Sequence, residues 1–215
     1  MQAFQGAVTP LIYSRYQEVY APAEIARIFR LFVFFALLVF VAISLFAREI
    51  LMVLTAPAYH SAYVFVPFLV ADQFLSGMYV FAPGLGIAKK TKYMAVINVC
   101  GAVFSVLITI LLIYGMGLLG AAVAAVSKSL LMFIVQMKYS QKYYHVPHHY
   151  IKLALSVFSS VVFVSLGFAA DIIFPFFLCA IFKCMLFCLC FLTLVFIGLV
   201  GRTEISYYLK MGVNR

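Results

Sequence analysis

Charge is what this 215-residue chain has least of: 10% of its residues are charged, and only 6 are Asp or Glu. A soluble domain carries about a quarter charged residues. With 67% hydrophobic residues and a mean hydropathy of +1.16, a water-soluble core of this size could not hide the apolar surface. The solvent that fits is lipid, and the class is an all-α integral membrane protein. Crosslinking chemistry is missing too. Cys100, Cys179, Cys184, Cys188 and Cys190 all lie inside apolar runs, so no disulfide framework is implied. Cys184 and Cys188 share a helix face, but no His or carboxylate joins them in that run. They read as small hydrophobes, and no metal, cofactor or catalytic group is expected. The opening "MQAFQGAVTPLIYSRYQEVY" lacks the ordered basic and apolar regions of a secretory signal. No repeat, Gly/Ser linker or low-complexity tract divides the chain, so one membrane unit and no soluble domain are expected.

A spanning helix needs about 20 mostly apolar residues. Six such stretches are present: 31–53, 62–86, 93–114, 117–138, 150–172 and 175–200. Their breaks carry Pro57, Gly115 with Gly117, Pro147 and Pro175, residues that end helices. The turn between the third and fourth stretches is very short, which requires a tight antiparallel hairpin. Residues 1–30 are left as an interfacial segment, 139–149 as a loop and 201–215 as a tail.

The net charge of +9 would point to nucleic acid in a soluble protein. Here its placement excludes that partner. Arg15, Arg27, Arg30, Lys89, Lys90, Lys92, Lys138, Lys142, Lys152, Arg202, Lys210 and Arg215 fall in alternate loops or the helix ends beside them, and the intervening loops hold no Lys or Arg. Cytoplasmic loops carry the Lys/Arg excess. Both termini are therefore expected in the cytoplasm. The Lys89, Lys90, Lys92 turn is expected to touch anionic headgroups of the bilayer.

The ionisable residues inside the spans are the candidate functional groups. Arg48 stands beside Glu49 near the far end of its helix and can snorkel. Lys183 lies roughly 12 Å along its helix at about 1.5 Å per residue, within reach of the outer surface. Lys128 and Asp72 sit near the middle of their spans. A charge at mid-bilayer costs at least about 2.5 kcal/mol on insertion scales. Two readings stay open for that pair: each faces a polar cavity, or the two form a buried Asp72–Lys128 ion pair. His145, His148 and His149 flank Pro147 with no carboxylate nearby, and read as solvated interfacial residues.

Three stretches resemble the C-terminal half of bacterial polysaccharide (O-antigen and capsule) flippases, of the multidrug/oligosaccharidyl-lipid/polysaccharide exporter superfamily. "GLGIAKKTKYMAVIN" resembles that family's lysine turn. "YGMGLLGAAVAAVSKSLL" is similar to its glycine–alanine hairpin. "AREILMVLTAPAYHSAYVFVPFL" is similar to the segment before both, with Glu49, Ile50, Leu51, Tyr59 and Ala62 on the pattern. Arg48, Ala56–Pro57, Ala125 and Lys128 depart from it.

The resemblance implies the last six helices of a two-lobe, fourteen-helix transporter: four of the C-terminal lobe (31–138) and two trailing helices (139–200). It implies a cargo, an undecaprenyl-diphosphate oligosaccharide moved across the bacterial inner membrane, and no covalent chemistry. It further implies that residues 1–30 close a truncated helix. The N-terminal lobe would be missing or supplied by a split-gene partner, and the chain alone would be inactive. Lys128 is the leading substrate contact, Asp72 its partner or the coupling group, and Arg48 and Lys183 the further candidates. A drug or lipid exporter of the same superfamily, and a non-transport membrane scaffold or enzyme, are the alternatives. Gly120, Ala121, Ala122, Ala124 and Ala125 make a smooth surface suited to close helix packing. Pro83, Gly84 and Gly86 either let the second helix bend or simply end it.

Overall fold

The computed structural model describes residues 2–18, 20–148, 150–173 and 175–198. His149, the last residues of the sixth span and the tail with Arg202, Lys210 and Arg215 lie outside the described residues. The described chain is helical and without strands, an all-α membrane fold. Six helices are long and apolar enough to cross a bilayer: Ala21–Leu45, Pro57–Ile87, Thr91–Met116, Leu118–Tyr143, Tyr150–Ile173 and Leu178–Phe196. The chain forms two compact units. One comprises the chain up to Ala26 with Ala56–Pro147. The other comprises Arg27–Thr55 with the chain from His148 onward.

The first span starts ten residues earlier than hydropathy places it. Helix α1 covers Gln2–Arg15, and α2 covers Ala21–Leu45. "APAEIARIFR" is polar enough to fall outside an apolar window, yet it is good helix sequence. Pro22 sits in the first turn, where no backbone N–H is lost from the ladder. Glu24, also in that turn, faces the positive helix end. Ala47–Leu54 then forms α3.

The second span is a composite rather than one helix. A 3-10 stretch over Pro57–Phe65 leads into α4 (Val66–Gly77), a second 3-10 turn over Met78–Phe81, and the short α5 (Gly84–Ile87). Ala82, just before Pro83, leaves helical geometry at φ −111°, ψ 58°, as residues before proline tend to. The expected weak point is therefore a real break, and it is also a contact. The Gly84 N–H donates to Ser140 Oγ at 2.8 Å. A Cβ at Gly84 would lie 2.2 Å from the Ser140 carbonyl oxygen, so only glycine lets α5 meet the next long helix but one this closely.

The lysine turn ends α5 with a defined cap. Lys89 N–H reaches Gly86 O and Lys90 N–H reaches Leu85 O, both at 3.0 Å, while Lys89 takes φ +53°. These are the two bonds of a Schellman motif, with lysine where glycine is usual. Helix α6 (Thr91–Met116) follows, then α7 (Leu118–Tyr143). Their hairpin turns on Gly117 alone, at φ +59°, ψ −138°, a region that side chains forbid. A Cβ at Gly120 would meet Leu112 O at 2.0 Å, and Ala122 and Ala124 are buried. The glycine–alanine run thus packs α7 against its neighbours. At the far end of α7, Tyr144 Oη donates to Tyr16 O at 3.2 Å, and burial pushes its phenol pKa up.

In the second unit, α2 contributes Val33, Val41 and Leu45, all nearly inaccessible. Helices α8 (Tyr150–Ile173) and α9 (Phe176–Phe196) pair with each other. Helix α8 buries Ser156, Ser160, Gly167 and Ala170 along one stripe. A Cβ at Gly167 would sit 2.2 Å from a Leu45 methyl. Small residues again set the approach distance. The cysteines follow the expected reading: Cys179 and Cys190 are buried, while Cys100, Cys184 and Cys188 lie on the exposed apolar surface, all unlinked.

Candidate functional site

Among the described residues two polar clusters stand out, one in each unit: the first on α4 and α7, the second on α3, α8 and α9.

In the first unit, α4 carries Asp72 near mid-span, and α7 presents Ser129 to it. Ser129 is fully buried, and its hydroxyl donates to Asp72 Oδ1. Ser76 Oγ lies 3.3 Å from Ser129 Oγ, and Tyr79 Oη donates to Ser129 O at 3.4 Å. Asp72 and Ser76 are one turn apart on α4, so both meet the same point of α7. From α1, Gln5 Nε2 donates to Ser76 O at 3.3 Å. Asp72 is therefore held by the Ser129 hydroxyl, with no counter-ion among the described residues. The alternative of an Asp72–Lys128 ion pair is not realised among the described residues. Ser129 is buried and Lys128 half-buried, and consecutive helix residues point about 100° apart. The ammonium of Lys128 has no hydrogen bond or ion pair among the described residues.

In the second unit, charges meet directly. Lys183 does not reach a surface: its side chain is 0% exposed. Its Nζ lies 2.7 Å from Glu49 Oε1 and 2.9 Å from Asp171 Oδ1. Arg48 Nη1 donates to the same Asp171 oxygen at 3.4 Å. Cys179 Sγ, one turn before Lys183, also donates to it at 3.4 Å. Arg48 thus snorkels only in part, with its side chain 36% exposed. The reason is electrostatic: in a medium of low dielectric a cation is held where anions can surround it. Two cations face two carboxylates, so the cluster is formally neutral.

Glu49, Asp171 and Cys179 place one ligand atom each within 4.8 Å of one another, a spacing a metal ion could use. The Lys183 ammonium already lies against both carboxylates, and Arg48 adds a second positive charge. A divalent ion would have to displace Lys183 against that field. The donor set fits a lysine-centred ion cluster better than a metal centre.

Sequence reasoning picked both cations of this cluster but missed its anions and its thiol. A signal was available. The in-span cations need partners, and Glu49 and Asp171 are among only 6 acidic residues in the chain. Asp171 stands one residue from the end of the 150–172 stretch. Lys89, Lys90 and Lys92 are all exposed, on the turn between α5 and α6 and the first turn of α6.

Comparison of the chain with known family profiles, curated proteins and solved structures finds no match in any of the three.

Proposed function

We propose that this chain is the C-terminal part of a flippase for lipid-linked oligosaccharide in a bacterial cytoplasmic membrane. The observation that carries the reading is Lys128. It is a cation near the middle of a spanning helix, half-buried and without an ion-pair partner among the described residues. Such a residue faces a polar cavity or meets an anionic cargo, and a diphosphate supplies that charge. The resemblance of the lysine turn, the glycine–alanine hairpin and the Glu49 segment to polysaccharide flippases names the cargo class. A free cation also disfavours cationic drugs as cargo. In this reading a second lobe completes the cargo path, transport follows alternating access between lobes, and the lysine turn faces the cytoplasm.

Deleting the gene from its native cell tests this. Surface polysaccharide should fall, and lipid-linked precursor should accumulate on the cytoplasmic leaflet. Unchanged polysaccharide and no precursor would contradict it. Orientation is read separately. A thiol-reactive probe outside the cell should label His60→Cys and spare Lys90→Cys; the reverse pattern overturns the topology.

A further inference from the structure

The first unit contains a cavity of about 370 Å³ that the charged residues do not explain. Its polar lining is Gln5 and Thr9 with Tyr13 on α1, Tyr79, Asn98 on α6 and Gln136 on α7. None of these side chains carries a charge at neutral pH. The amides of Asn98 and Gln136 hydrogen-bond to no described residue.

Depth makes those amides costly. Helix α6 has 26 residues, about 39 Å at 1.5 Å per residue, against a hydrocarbon core of about 30 Å. Asn98 lies roughly 10 Å from the start of α6, at or just inside the edge of the hydrocarbon. Gln136 lies at a similar distance from the end of α7. Asn98 is exposed and Gln136 half-buried, and inside that edge an amide without a partner is unfavourable. The pair calls for an occupant bearing hydroxyls, which donate and accept.

The surroundings specify the rest of that occupant. Pro83, Leu85 and Gly86 also line the cavity, so it lies beside the exposed Lys89, Lys90 and Lys92. Lys90, Met94 and Asn98 are spaced four apart, and Met94 and Asn98 both line the cavity. No side chain caps the N-terminus of α6. Lys90 heads that row, so an anion at this mouth would lie beside Lys90 and the lysine turn. Beyond the cavity, α6 exposes Val96, Val99, Val103 and Val106, a surface for acyl chains.

We propose that this cavity is a lipid-headgroup site that holds the phosphoglycerol head of an anionic glycerophospholipid. The glycerol hydroxyls meet Asn98, Gln136 and the tyrosines, and the phosphate lies at the lysine turn. The site does not depend on the flippase reading, because a resident lipid needs only the membrane.

Lipid retention by the purified chain in native mass spectrometry tests it. The probes are phosphatidylglycerol, phosphatidylethanolamine with matched acyl chains, and an undecaprenyl-diphosphate sugar. The parent should retain phosphatidylglycerol above phosphatidylethanolamine. The double variant Asn98→Leu, Gln136→Leu should lose about tenfold in that retention, as expected for two or more lost hydrogen bonds. The triple variant Lys89→Gln, Lys90→Gln, Lys92→Gln changes only exposed side chains. It should abolish the preference between the two phospholipids while thermal unfolding stays that of the parent. Equal retention of both phospholipids by the parent, or no change in either variant, overturns the proposal. Displacement of phosphatidylglycerol by the undecaprenyl-linked sugar would make the cavity a cargo site. That outcome also overturns the resident-lipid claim, and leaves the flippase reading standing.

Discussion

Each unit holds acidic and basic groups on or beside its spanning helices, and the two handle them differently. In the first unit Asp72 accepts from the Ser129 hydroxyl, which also meets Ser76, and Lys128 has no partner among the described residues. In the second, Lys183 is enclosed by Glu49 and Asp171, with Arg48 and Cys179 completing the set. A charge whose neighbours satisfy it has no further interaction to offer a cargo. A charge left open does. The contrast separates a cluster that ties helices together from one that can meet a ligand.

The largest effect is expected from the closed cluster. Lys183→Met leaves two largely buried carboxylates against Arg48 alone. Breaking a buried pair in this way costs about 3–5 kcal/mol, read as the free energy of unfolding of detergent-solubilised protein in a denaturing-detergent titration. Neutralising all four groups together (Arg48→Met, Glu49→Gln, Asp171→Asn, Lys183→Met) should recover much of that loss, since no uncompensated charge remains. If Lys183→Met unfolds like the parent, the cluster is not a tie and the contrast fails. Next comes Ser129→Ala, which removes the hydroxyl that Asp72 accepts. A hydrogen bond to a charged group contributes about 1.5–3 kcal/mol, so the loss should be smaller than for Lys183→Met by the same titration. A larger loss would show that the first unit is also held together by its charge.

A smaller change of opposite sign is expected at the lysine turn. Lys89 stands at φ +53°, where glycine is strain-free. Lys89→Gly should stabilise by up to about 1 kcal/mol. Stabilisation would mean that the lysine is kept for its charge at the cost of its backbone geometry.

Much of this fold is legible in the sequence because lipid imposes one strong rule: backbone groups must be satisfied within helices. The six spans, the hairpin at Gly117 and the break at Pro83 follow from apolar runs punctuated by Gly and Pro. The start of α2 was not legible, because Glu24, Arg27 and Arg30 lower hydropathy without opposing helix formation. The 3-10 stretch at Pro57–Phe65 was not legible either, since its apolar composition matches an α-helix. At the clusters, depth along a helix identified Asp72, Lys128 and Lys183. It could not give their partners, because pairing depends on helix rotation. That rotation is what brings Ser129 rather than Lys128 to Asp72, and carries Lys183 inward to Glu49 and Asp171.

The central claim is that Lys128 is kept for cargo and not for stability. The most direct measurement is surface polysaccharide in the native cell after Lys128→Ala, normalised to the protein in the membrane. Removing a side chain with no partner among the described residues should change stability by no more than about 0.5 kcal/mol, so membrane protein should stay at the parent level. Export should fall, and Lys128→Arg should retain more of it by keeping the charge. Export equal to the parent's in Lys128→Ala would contradict the claim.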